Sequence, residues 1–166
     1  MLQKLKQPRR RVASGEHFAI VASNYNACYV DAMLAAATQR LRAAQAKSIE
    51  VLRVPGAYEI PVATSVWLKN RPGHWSAVIC LGVIIRGQTS HAQLIGEAVT
   101  GALMDIQLEY RVPVIHEVLL VENEAQALQR CLDPEHNRGT EAAESALEMA
   151  AAIRSLQRPR INHSGP

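Results

Sequence analysis

Cysteine is scarce and unpatterned. Cys28, Cys80 and Cys131 are odd in number and lack both CxxC and Cys/His ligand spacing, which excludes a disulfide framework or a zinc site built on them. Each reads as a small buried or half-buried side chain. Long apolar runs are also missing: the longest clean stretch, Ala77 to Ile85, falls far short of the roughly 20 residues a bilayer-spanning helix needs. The basic run from Lys4 to Arg11 leads into Ala13, Ser14, Gly15 and Glu16 instead of an apolar h-region, so the expectation is a cytoplasmic chain without a secretory signal. Aromatics are few, with two Trp, four Tyr and one Phe, which argues against the stacking platform of a nucleic-acid binder. The excess of positive charge sits at one end: Lys4, Lys6, Arg9, Arg10 and Arg11 against Glu16 exceed the whole-chain net of +3. The rest is close to neutral, and the basic segment reads as a solvated arm. Neither a nucleic acid nor a membrane is an expected partner.

What is present is an ordinary globular composition, 48% hydrophobic in 166 residues, enough for one core and cramped for two. The expected organisation is a basic arm over 1–16, an α/β domain over 17–157 and a tail over 158–166. Along the chain the apolar period switches repeatedly between strand and helix. His17 to Ala22 is a short apolar run closed by Ser23, Asn24, Tyr25 and Asn26. Asp31 to Ala44 reads as a helix, with Ala35, Leu41 and Ala44 on helical spacing, and Ser48 to Val54 alternates as a strand before Pro55-Gly56. From Ile60, a second helical stripe of Ile60, Val62, Ala63, Val66 and Trp67 ends at Asn70, Arg71, Pro72 and Gly73. Ser76 to Ile85 is too apolar for a sheet with a wet face and reads as a central strand covered on both sides. A helix from Ser90 to Tyr110, a fourth strand over Val112 to Val121, and helices over Glu124 to Arg130 and Thr140 to Leu156 complete the pattern. Strands alternating with helices imply a three-layer sandwich around a four-stranded parallel, flavodoxin-like sheet.

Ligands of such sheets bind beyond the carboxyl ends of the strands. That rule selects Asn24 to Asn26, Gly56 to Glu59, Arg86 to His91 and the residues from Glu122 onward. In Arg86-Gly87-Gln88-Thr89-Ser90-His91 a glycine, two hydroxyls and an imminent helix start make an anion or phosphate cradle. The loop has neither the Walker A lysine nor GxGxxG spacing, so a nucleotide is not indicated. His91, in the first helical turn, reads either as a proton-transfer residue beside a phosphate or as a helix-start histidine bonded to solvent. Tyr25 and Tyr58 read as core aromatics or as stacking partners for a planar heterocycle. Glu59 is an acceptor for hydroxyls or amines, or a charge favoured by the helix dipole.

VPGAYEIP (Val54 to Pro61), CLGVIIRGQTSH (Cys80 to His91), VPVIHEVL (Val112 to Leu119) and NRGTEAA (Asn137 to Ala143) together resemble the lumazine synthase family, in order, over roughly residues 17 to 156. The resemblance implies condensation of 5-amino-6-ribitylaminouracil with dihydroxybutanone phosphate to ribityllumazine, the riboflavin precursor, without metal or organic cofactor. It assigns Tyr25, with Asn26 beside it, to the pyrimidine ring, and Ala57, Tyr58 and Glu59 to the ribityl chain. Val83, Ile84 and Ile85 go to the pyrimidine edge, Gln88 and Thr89 to the phosphate through their amides, Arg130 to a phosphate clamp, and His91 to proton transfer. Arg138 becomes a polar contact near the same pocket. His116 takes a position where the family usually has Phe over the heterocycle, and Ala92, Gln93 and Leu94 replace an aromatic, an acid and a tyrosine. The resemblance also implies homo-oligomers with sites between subunits, as pentamers, decamers or icosahedral shells, and makes riboflavin synthase a candidate partner. A slow or non-catalytic flavin- or lumazine-binding scaffold of the same fold is the alternative, and a flavodoxin-like phosphate-ester enzyme or mononucleotide binder a third reading.

Overall fold

Four apolar runs separated by helical stretches have one economical solution, a parallel sheet sandwiched by helices. The computed structural model of the chain, which describes residues 12–157, has this architecture. The order is β1 (His17–Ser23), α1 (Ala27–Ala43), β2 (Ser48–Val54), a 3₁₀ turn (Ala57–Glu59), α2 (Ile60–Asn70), β3 (Ala77–Ile85), α3 (His91–Tyr110), β4 (Val114–Val121), α4 (Glu124–Cys131) and α5 (Arg138–Gln157). All strands pair in parallel in the order β2-β1-β3-β4. The reversal between β1 and β3 creates the crevice in which open α/β sheets bind ligands.

Strand side chains alternate between two cores. Phe18, Ile20 and Ala22 of β1 and Ile79, Leu81 and Val83 of β3 pack with α1, α4 and α5. Ala19 and Val21, with Val78 and Cys80, pack with α2 and α3. Burial in the second core pushes the Cys80 thiol up to about 12, leaving it inert at neutral pH. On the first side, α5 reaches α1 through small residues: Ala142, Ala143 and Ala146 are fully buried. An ideal Cβ on Gly139 would stand 2.0 Å from the Met33 carbonyl oxygen.

Several expectations need correction. Helix α1 begins at Ala27, not Asp31, and its buried stripe is Tyr29, Val30, Met33, Ala37 and Leu41. Ala35 faces solvent, because the stripe that meets the sheet is set by larger residues upstream. In α2 the buried positions are Ile60, Pro61, Thr64 and Leu68. Val62 and Val66 are exposed, since Thr64 turns inward, donates to the Ile60 carbonyl at 2.8 Å and contacts the Cys80 sulfur at 3.4 Å. Strand β2 is an edge strand with no alternation in burial, Val51 and Leu52 both being exposed. Cys28 is exposed, whereas Cys80 and Cys131 are buried.

The basic run Lys4 to Arg11 and the tail 158–166 lie outside the described residues. Just before β1 the chain packs on the body: Ala13 is buried and donates its N–H to the Ala44 carbonyl at 2.6 Å, and buried Glu16 pairs with Arg154 at 2.6 Å.

Candidate active site

Three of the four strand ends selected from the sequence converge on one cleft of about 950 Å³, at the large end of the range for small-molecule pockets. Tyr25 reaches it from the β1–α1 loop, Ala57, Tyr58 and Glu59 from the 3₁₀ turn, Val83, Ile84 and Ile85 from the end of β3, and Thr89 and His91 from the start of α3. Gly87 lines it too, and an added Cβ there would meet no atom within 4 Å, so the glycine leaves room in the cleft itself.

The loop carrying Tyr25 is fixed by its backbone. Asn24 and Tyr25 donate their N–H groups to the Val54 and Pro55 carbonyls at 2.7 and 3.0 Å. Arg53 braces the same loop, donating to the Asn24 side chain at 3.0 Å, the Ser23 carbonyl at 2.9 Å and Asp31 at 2.7 Å. Asn26 adopts a left-handed backbone, φ 57°, which asparagine tolerates better than most residues. Its side-chain amide donates to the Val83 carbonyl at 2.8 Å, tying the loop to β3. With the backbone so held, Tyr25 remains 73% exposed and Tyr58 65% exposed. Two uncovered aromatics over a cleft suit a planar ring. One carboxylate oxygen of Glu59 accepts the Gly56 N–H at 2.9 Å, which orients the group.

At the phosphate-type loop, α3 starts without a side-chain cap from Ser90 and with no acidic residue in its first turn. Thr89 Oγ1 stands 3.4 Å from the His91 N–H. Apart from that long bond accepted by Thr89, first-turn N–H groups with no carboxylate beside them favour an anion. Arg86 is engaged elsewhere, with Glu122 at 3.2 Å and the Gln93 side chain at 2.8 Å. No Lys or Arg is among the described residues that line the cleft.

Several of the sequence-selected residues do not line this cleft: Asn26 only braces its loop, Arg138 pairs with Glu117 on the other side of the sheet, and Gln88, Arg130 and His116 also lie outside it. Gln88 is exposed on the loop. Arg130 rides in the last turn of α4, in the layer with α1 and α5. His116 lies on β4 against α3, bonded through Nε2 to Thr100 Oγ1 at 2.9 Å, about 13 Å along the helix from His91. The Val118 N–H donates to His116 Nδ1 at 3.2 Å, which requires that nitrogen to be unprotonated. Nε2 then donates to Thr100, whose hydroxyl donates on to the Gly96 carbonyl at 2.7 Å. Burial lowers the His116 pKa, in keeping with a neutral ring.

The sequence reading missed two features. Glu117 is buried on the opposite face of β4, 3.2 Å from Arg138 Nε, and desolvation raises its pKa to about 7. Asn137 is buried as well, donating to the Cys131 carbonyl and accepting the Gly139 N–H at 2.8 Å, so it caps α5. A Glu within an apolar strand and an Asn two residues before a Gly were the available signals.

A family model described as 6,7-dimethyl-8-ribityllumazine synthase matches residues 15–154. Proteins of that name are similar over nearly the whole chain. The one from Methylobacterium radiotolerans is 38% identical over 156 residues, covering 93% of each chain. That from Kineococcus radiotolerans is 39% identical, covering 86% of this chain and 88% of its own. That from Mycolicibacterium paratuberculosis is 39% identical, covering 87% and 89%. The chain belongs to the 6,7-dimethyl-8-ribityllumazine synthase family. Ala92 and Leu94 make part of the cleft wall aliphatic. Gln93 is absorbed into a surface chain from Arg86 to Glu97.

Proposed function

We propose that this chain condenses 5-amino-6-(D-ribitylamino)uracil with 3,4-dihydroxy-2-butanone 4-phosphate to 6,7-dimethyl-8-ribityllumazine, releasing phosphate and water, the penultimate step of riboflavin biosynthesis. The observation that carries the reading is the convergence of GAYE, the end of β3 and RGQTSH on one cleft in a member of this family. The pyrimidine ring lies against Tyr25 and the backbone of Val83 to Ile85. The ribityl chain runs along Ala57 to Glu59, and the phosphate meets the amides of Gln88 and Thr89 at the start of α3.

The 5-amino group of the uracil attacks the ketone and water leaves as an imine forms. Phosphate departs as a proton is lost from the adjacent carbon, the resulting enol becomes a ketone, and the ribitylamino nitrogen closes the ring with loss of a second water. Each step moves a proton, and His91, exposed at the helix start beside the phosphate, is placed to carry them. Orientation of two substrates in one cleft supplies much of the acceleration. Removing His91 in His91→Ala should lower turnover by about 10-fold or more while leaving pyrimidine affinity nearly intact. Ribityllumazine absorbance measured in phosphate-free buffer checks this, and unchanged turnover would remove His91 from the mechanism.

Among the described residues, the cleft of one chain offers the phosphate no guanidinium. Arg130 of a neighbouring copy fills that role, and His116 of the same neighbour approaches the heterocycle. Apolar residues on the outer faces of α2 and α3, Val62, Val66, Met104 and Leu108, support a homo-oligomer, with the pentamer as its unit. Arg130→Ala should chiefly raise KM for the phosphate substrate. If inorganic phosphate inhibits that variant as well as wild type, the assignment fails. Cytoplasmic location, and delivery of product to riboflavin synthase, belong to the same reading.

A further inference from the structure

Around Glu117, midway along β4, three elements bring charge together. Glu117 of β4, its side chain 8% exposed, accepts from Arg138 Nε at 3.2 Å. Arg138 is the first residue of α5 and also donates from Nη1 to Glu141 at 2.6 Å. Arg130, in the last turn of α4, lies close enough for its charge to act on Glu117. The Cys131 thiol beside them is pushed up to about 12 by burial and by Glu117, and stays neutral. A cation at a helix N-terminus is disfavoured by the dipole, so Arg138 depends on its two carboxylates. On the opposite face of the strand, neutral His116 adds no charge. With both carboxyls ionised, two guanidiniums and two carboxylates balance.

We propose that Glu117 is a positioning residue for anion binding: its ionised carboxylate tethers Arg138 and offsets one of the two guanidinium charges at the β4–α4–α5 corner, so the corner holds the substrate phosphate more tightly when Glu117 is neutral. The inference rests on Arg130 being the phosphate clamp. Desolvation already holds the Glu117 carboxyl near its midpoint at neutral pH, so proton uptake switches the corner from balanced to net positive within the working range. A buried carboxyl at this position of the strand has no packing purpose that an apolar residue would not serve better.

Sulfate is the probe, because it stays dianionic throughout and does not titrate as phosphate does. Its competitive inhibition against dihydroxybutanone phosphate is measured from pH 6 to pH 8.5 in wild type, Glu117→Gln, Arg138→Gln and Arg130→Ala. Wild-type affinity should fall about fivefold more across the range than that of Glu117→Gln, which should hold its tighter affinity at high pH. In Arg138→Gln, Glu117 loses its nearest cation, so the midpoint should move to higher pH, and this decides the matter even where Glu117→Gln fails to fold. Equal slopes in wild type and Glu117→Gln, or an unmoved midpoint in Arg138→Gln, would overturn the role of Glu117. Unaltered sulfate inhibition in Arg130→Ala would instead overturn the clamp itself, and with it this inference.

Discussion

A single carboxyl shows how far a residue can depart from what its neighbours in sequence suggest. In VIHEVLLV, Glu117 reads as one polar position in an apolar strand, and nothing in that string says that α5 will cover it. Burial raises its pKa from the ordinary value of 4.5 to about 7 against the pull of Arg138. The folded state therefore binds more protons than the unfolded state between those two values. The contribution of Glu117 to stability is greatest below about 4.5 and is lost as pH rises through about 7. Glu117→Gln, which mimics the protonated form, should exceed wild type in urea denaturation by about 1 kcal/mol at pH 5 and by about 3 kcal/mol at pH 8. A variant weaker than wild type at pH 8 would mean that the ion pair outweighs the burial cost. The reverse case is the position of His91: a histidine directly after a Gly/Thr/Ser loop at a strand end reads as a helix start at the ligand edge, and it does begin α3 and line the cleft, because every relevant neighbour is local. Asn26 lies between these cases. Its place beside Tyr25 is legible, but its bond to the Val83 carbonyl joins residues 57 positions apart and needs the parallel pairing of β1 and β3.

At the scale of elements, strand identities and order follow from apolar period, and their ends are right to within about two residues. Helix faces were harder, because α1 and α2 are rich in Ala and Val on several sides and the buried stripe is chosen by what the sheet offers. Thr64, polar by type, is fully buried because its hydroxyl finds a carbonyl one turn back. NRGTEAA illustrates the same limit. Its three leading residues act separately, for Asn137 caps α5, Arg138 pairs with Glu117, and Gly139 admits the Met33 carbonyl. Only the last cannot be replaced even by Ala, since a Cβ at 2.0 Å from backbone oxygen forces α5 away from α1. That seam holds the Arg40–Glu144 pair and the buried alanines of α5. Gly139→Ala should destabilise the fold by about 2–4 kcal/mol, read as a lower denaturation midpoint with His91 chemistry otherwise intact. A midpoint within error of wild type would mean that the two helices can part without loss.

At the scale of the molecule, the arrangement of layers sets what one copy can do alone. The cleft opens where the β1–α1 loop, the 3₁₀ turn and α3 meet, while Arg130 rides with α4 in the layer of α1 and α5. On the proposed reading, a chain that keeps Arg130 outside its own cleft gains a complete site by presenting that face to a second copy, and a closed ring would satisfy every copy at once. This dependence can be tested by complementation. His91→Ala retains Arg130 and Arg130→Ala retains His91, so each homo-oligomer has only damaged sites. Co-expressed in equal amounts and assembled at random, the two chains should place wild-type His91 opposite wild-type Arg130 at about a quarter of interfaces. Activity measured well below the wild-type KM for the phosphate substrate should then exceed the mean of the two pure variants and approach about a quarter of wild type. Mixed oligomers no more active than that mean would place Arg130 and His91 in the same subunit's site, or Arg130 in none, and the interface between copies would lose its catalytic purpose.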